Sequence, residues 1–203
     1  MSSLLLTNGY VVTVDAERRV IERGWIAVEG DSIVAIGEMS ELGDRAAAET
    51  IDLGGKMVLP GFVNGHNHHW GSLFKNTGEG HLLEDWLAEV ALPLGAQLTN
   101  ADLEVAGYLG AIEQIRTGTT CSLNHVILDN DVESFEAMVN PVVEVGVRQL
   151  ITKELRETPD PPFSDRYPAT PHVRDREREL ALADEVIDRF DARGGMIHMG
   201  LAI

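Results

Sequence analysis

Read for hydrophobic and polar positions alone, the chain changes rhythm near Lys56. Before it, short apolar and β-branched runs at residues 4–14, 25–28, 33–36 and 49–53 are punctuated by the turns Glu29-Gly30-Asp31 and Gly54-Gly55. Runs of this length bounded by turn residues predict a small antiparallel β unit. After it, apolar strand-like runs alternate with longer segments whose apolar residues recur every three or four positions, the signature of βαβ units around a parallel sheet. Strands are expected at residues 57–63, 119–123, 147–152 and 196–202, and helices at about 82–92, 132–145 (interrupted by Pro141) and 175–190. A further helix carries Leu103, Ala106, Leu109, Gly110, Ile112 and Ile115 behind the capping candidates Thr99 and Asn100. Pro159, Pro161, Pro162, Pro168 and Pro171 fall between the third of these strands and the next helix, a connection that a (β/α) barrel would place on its catalytic face.

Composition narrows the function classes. With 203 residues, 44% of them apolar and 24% charged, the chain can bury a substantial core. Its formal net charge of −17, with only 16 scattered Lys and Arg, excludes a nucleic-acid partner that would need clustered cations. No run of about 18 apolar residues is present, so no membrane-spanning segment is expected. The single Cys121 rules out an intrachain disulfide framework and points to a reducing compartment, the cytoplasm.

The chemistry concentrates in VLPGFVNGHNHHW, residues 58–70, where an apolar strand runs directly into three histidines. If the extended backbone persists through Asn67, His66 and His68 project to one side and His69 to the other, because strand side chains repeat every two residues. Two neutral imidazoles on one side can fill two corners of a zinc coordination shell. Their place at the C-terminal end of the first parallel strand is where barrel enzymes put catalytic groups.

These residues, the preceding Gly54-Gly55-Lys56 and the β-rich start resemble the amidohydrolase superfamily. Leu73-Phe74, Leu83-Glu84-Asp85-Trp86-Leu87, Leu92-Pro93-Leu94 and Thr117-Gly118-Thr119-Thr120 are similar to the branch holding cytosine, guanine, 8-oxoguanine and S-adenosylhomocysteine deaminases and the triazine hydrolases. The resemblance implies an α/β fold, a (β/α)8 TIM-type barrel of which residues 57–203 are about the first half. Residues 1–56 would then be the N-terminal part of a composite β-sandwich completed by later strands. It implies one divalent metal ion, zinc or iron, held by His66 and His68 together with a histidine of the fifth strand and an aspartate of the eighth, neither of which occurs here. Metal-activated water then deaminates a small nitrogen heterocycle, with the general acid and base expected beyond Ile203. The alternatives are a cyclic-amide or imidazolone ring-opening hydrolase and an inactive half-barrel assembly fragment. The expected partners are a heterocyclic substrate, the C-terminal half of the same protein and, in the complete enzyme, further copies of itself.

Other positions bear on the substrate. His125, beyond the second strand, and Trp70 are expected at the substrate, whereas Trp86 is expected in the core. His198 is expected to pack in or near the barrel, and His81 and His172 to face solvent in loops, His81 beside the solvated Glu79 and Glu84. A two-metal subgroup uses a lysine ending the fourth strand; this chain has none there, and Lys153, ending the third, is expected at the surface. Adenosine-type relatives carry a glutamate after the Leu-Pro-Leu step, where this chain has Gly95. Relatives of the 8-oxoguanine type carry a glutamine where it has Gly71.

Overall fold

The computed structural model describes residues 2–128, 131–155 and 175–202, and the chain divides into two compact units, 1–60 and 61–203. The five-proline connection and His172 lie outside the described residues.

The first unit is a five-stranded sheet of β1 (Ser2–Val12), β2 (Val20–Glu29), β3 (Ser32–Glu38), β4 (Ala47–Asp52) and β5 (Met57–Val58). The order is β3-β2-β1-β4, with β5 also on β1. The expected antiparallel unit is only half right. β1, β2 and β3 form an antiparallel meander, but β4 and β5 run parallel to β1. The connection over residues 39–46 returns the chain to the starting end of the sheet, and a strand that begins there must run parallel to β1. Side-chain alternation along β2 buries both faces: Trp25 and Ala27 pack with Leu5, while Ile26 packs with Val11 and Ile21.

The second unit is a four-stranded parallel sheet in sequential order, β6 (Phe62–Asn67), β7 (Thr119–Val126), β8 (Arg148–Glu154) and β9 (Ile197–Ala202). Each crossover carries a helix, α3 (Asn100–Arg116), α4 (Val132–Val145) and α5 (Arg176–Phe190) in turn. The single strand expected at 57–63 is two strands. Pro60 has no N–H to give a ladder, and at Gly61 a Cβ would come within 2.2 Å of the Thr120 side chain. Pairing therefore restarts at Phe62, whose N–H donates to Gly118 O at 2.8 Å, and continues to Asn67. That shift puts His66 inside a strand and His68 just past its end.

Before α3 lie the short helices α1 (Leu83–Trp86) and α2 (Leu92–Gly95), joined by a π-helical turn at Leu87–Ala91. The π turn runs up to Pro93, which has no N–H to offer an α-helical ladder. Helix α3 starts at a reciprocal capping box: Asp102 N–H donates to the Thr99 hydroxyl and the Asp102 carboxylate accepts from Thr99 N–H. Its buried face keeps Leu103, Ala106 and Gly110 of the expected stripe but not Leu109, Ile112 and Ile115. Leu103, Ala106, Gly107, Gly110, Ala111 and Gln114 are buried, while Leu109, Ile112 and Ile115 are more than 40% exposed. Small residues let the helix axis approach closely: a Cβ at Gly107 would meet Met138 O at 3.1 Å, and one at Gly110 would meet the His69 ring at 2.7 Å.

Helix α4 is capped by Asp131, which accepts from Ser134 N–H, and ends at Gly146 with φ of 85°, a left-handed terminus that glycine adopts without strain. It continues through Pro141, which sequence alone marks as an interruption. The ring forfeits one helical hydrogen bond but is buried against Gly107 of α3. The core between helices and sheet is built from Phe135, Met138, Val142, Ile151, Phe190 and Ile197. No helix among the described residues is long and apolar enough to cross a membrane.

Candidate metal centre

His66 and His68 project from the C-terminal end of β6 with ring centroids 4.7 Å apart, as the two-residue period requires. β7 runs parallel to β6 and ends at the same edge of the sheet, which brings His125 to 6.1 Å from the His66 ring and 5.5 Å from the His68 ring. Each of the three can offer one ring nitrogen so that all three lie within 4.8 Å of one another. His66 is exposed and the other two are half-buried.

The hydrogen bonding of His68 decides which of its atoms can bind a metal. Its Nδ1 lies 2.7 Å from the backbone carbonyl of His125, and since a carbonyl only accepts, Nδ1 carries the proton. The lone pair is left on Nε2. Burial lowers the pKa of His68, outweighing the carbonyl's opposite pull, with nearby His66 adding to the depression. The ring is thereby favoured in the neutral form that coordinates.

Behind this face lies a buried polar cluster that sequence reading missed. His69 N–H donates to Asn124 Oδ1 at 3.1 Å, and Asn124 Nδ2 donates to Gln149 Oε1 at 3.3 Å. Gln149 Nε2 donates to His69 Nε2 at 3.0 Å and to Gln114 Oε1 at 3.3 Å, and Ser122 Oγ also donates to Gln114 Oε1. All five side chains are buried. Burial pushes the His69 pKa down to about 4, partly offset by the acceptor oxygen of Gln114, so at neutral pH the ring is uncharged. A signal for this cluster exists in the strand alternation. On β7 the buried positions are Ser122, Asn124 and Val126, two of them polar where a sheet facing a core would carry aliphatics.

Several expectations need correction. Trp70 offers no surface to a substrate: it is 1% exposed and packs in the core with Phe74 edge-on. The chain turns at His68 into a short 3-10 segment, His69–Phe74, which carries the indole inward. His198 is not packed: it stands exposed at the start of β9, with Nδ1 3.6 Å from an Asp191 carboxylate oxygen. Lys153 is not a surface lysine. It is buried, and its Nζ donates at 2.6 Å to both Glu179 Oε2 and Glu154 O, so its ammonium is already engaged. His81 does face solvent, bonded to Gly78 O and Glu89, and Trp86 packs at the margin of the core. At Gly95 a Cβ would come 2.7 Å from Leu128 and 3.4 Å from Trp70, whereas around Gly71 there is open space.

Comparison with known proteins agrees with this architecture. Residues 57–201 match the amidohydrolase family. A 5-methylthioadenosine/S-adenosylhomocysteine deaminase from Bacillus cereus is 34% identical over 193 residues, 94% of this chain and 40% of that protein. Thus the chain spans about two-fifths of the length of that curated relative. Among solved structures, a mutant atrazine chlorohydrolase from Arthrobacter aurescens TC1, complexed with zinc and atraton, superposes with a TM-score of 0.81 at 20% identity. The match covers 98% of this chain and 46% of that one. An adenosine deaminase from Xanthomonas campestris with bound zinc gives 0.80 at 23% identity, over 98% and 42%. With a family match over most of its length and the paired histidines at the end of the first parallel strand, this chain belongs to the amidohydrolase family.

Proposed function

We propose that this chain is the metal-binding N-terminal part of an enzyme that hydrolytically deaminates a small nitrogen heterocycle. The observation that carries the reading is the convergence of His66, His68 and His125 at one end of adjacent parallel strands, with ring nitrogens within 4.8 Å. In this reading β6–β9 are the first four strands of an eight-stranded barrel, and residues 1–56 are the N-terminal part of a composite β-sandwich.

The donor set fits a divalent ion of borderline softness, zinc before iron, because neutral imidazoles are the ligands such ions prefer. His66 and His68 would hold it, and a single ion there would supply Lewis acidity and lower the pKa of water to about 7. His68 contributes a fixed tautomer, with its proton committed to the His125 carbonyl and its other nitrogen free to ligate. His125 presents its imidazole beside the pair, in position to hydrogen-bond a ring nitrogen or exocyclic group of the substrate.

The named relatives act on adenine nucleosides and a triazine, all with a ring carbon that adjoins a ring nitrogen and bears a leaving group open to attack by water. Position 95 is glycine and lacks the carboxylate of adenosine-type relatives. This favours a free base or triazine-like ring over a ribose-bearing one.

Metal analysis of the full-length protein that carries this sequence tests the assignment. His66→Ala and His68→Ala are expected to lose bound zinc and to abolish ammonia release from a panel of purines, pyrimidines and triazines. Unchanged metal content in both variants would overturn it, and substrate loss without ammonia would indicate ring opening instead.

A further inference from the structure

Past Asn67, where β6 pairs with Asn124 of β7, the backbone ladder between the two strands ends, yet the histidine segment stays attached to β7 residue by residue. Asn67 Nδ2 donates to Leu123 O at 2.9 Å, His69 N–H donates to Asn124 Oδ1 at 3.1 Å, and His68 Nδ1–H donates to His125 O at 2.7 Å. Three consecutive residues are thus tied to three consecutive residues by bonds that each involve a side chain.

The Asn124 end of this ladder is itself braced. Asn124 is fully buried and donates to Gln149 on β8, and Gln149 in turn donates to the His69 ring. His69 is therefore held twice, at its backbone N–H by Asn124 and at its ring by Gln149, while α3 closes on its ring at Gly110. Buried amides are costly unless every polar atom is paired, and an apolar core would fill the same space without that demand. Here the paired set converges on the residue adjoining His68.

We infer that Asn124 and Gln149 are positioning residues that clamp His69 and so hold His66 and His68 in the geometry that binds metal. The inference rests on the reading of those two histidines as ligands. A ligand segment must be fixed to about 0.5 Å for productive coordination. His68 is tied to β7 through its ring, and its carbonyl accepts from Gly71 N–H within the 3-10 turn that follows, so the clamp on the next residue fixes that turn, and with it the His68 backbone, against the sheet.

The test is zinc affinity of the full-length protein, measured by competition with a chromophoric chelator, together with the Co2+ ligand-field absorption spectrum. Asn124→Leu removes the backbone clamp, Gln149→Leu removes the ring clamp, and Ser134→Ala is the control. Ser134 is a buried hydroxyl on α4 bonded to Asn100 and Asp131, with no part in the clamp. Both clamp variants are expected to bind zinc about 10- to 100-fold more weakly, the loss typical of removing partners behind metal ligands, and to shift the Co2+ spectrum. Ser134→Ala is expected to lower the melting temperature of the metal-free protein and leave zinc affinity within about two-fold of wild type. Wild-type affinity in both clamp variants, or equal weakening in all three proteins, would overturn the inference. If Asn124→Leu does not fold, Gln149→Leu carries the same comparison, since it leaves the Asn124–His69 bond in place. Failure of the underlying reading looks different: zinc binding would then be insensitive to His66→Ala and His68→Ala.

Discussion

Lys153 and Glu179 bury a charged pair at the end of β8, side chains 4% exposed and 2.6 Å apart, whereas His69, Gln114, Ser122, Asn124 and Gln149 bury comparable polarity with no charge. The ion pair depends on both partners being present, because removing either leaves the other's buried charge without its counterion at 2.6 Å. The neutral cluster spreads its dependence over several bonds, so losing one costs about 1–3 kcal/mol and leaves the others in place. The difference teaches where the unit is brittle: at one point on the α5 side of the sheet, and diffusely beneath the histidines.

The sharpest way to break this contrast is Glu179→Leu, which strands the Lys153 ammonium and is expected to destabilise the protein by about 3–5 kcal/mol in urea denaturation. The double variant Lys153→Met/Glu179→Leu is expected to recover most of that loss. Equal losses in single and double variants would show that the pair is not acting as a pair.

Acid titration probes the neutral cluster next. The folded pKa of His69 is held at about 4, against an ordinary 6.5, so between these values the unfolded chain binds a proton that the folded chain does not. This contribution is fully present above pH 6.5 and is lost as pH falls to about 4, on the order of 3 kcal/mol in total. Denaturation midpoints measured across that window in wild type and His69→Gln check it, since the variant's dependence should be shallower.

Gly110→Ala drives a methyl against the His69 ring and is expected to cost about 1–3 kcal/mol by differential scanning calorimetry. Ser122→Ala, which removes one bond to Gln114, should cost only about 1 kcal/mol.

The sequence made the alternation of strands and helices legible after Lys56, because apolar periodicity is set by burial on one face. The pairing of His66 and His68 was legible for the same reason, since they differ by one strand period. What escaped reading depends on contacts between distant segments. Alternation along β7 sets Asn124 on the same side as Val126, but nothing local distinguishes Gln149 from a surface amide until β7 and β8 are in register, at Asn124 beside Ile151. Trp70 was misplaced because the strand ends at Asn67 and the 3-10 segment that follows breaks the alternation. The buried stripe of α3 was misread because that helix is apolar on several sides, and close approach to α4 and His69 selected its glycines and alanines over its leucines and isoleucines.

The acceptor that orients His68 is the main-chain carbonyl of residue 125, not a side chain. Every amino acid supplies that atom, so the orientation of the His68 ring is insulated from the side chain carried at position 125. If position 125 faces the substrate as proposed, its side chain can change there while His68 keeps its aim. Such a separation lets a lineage change what it accepts without rebuilding the centre that does the chemistry.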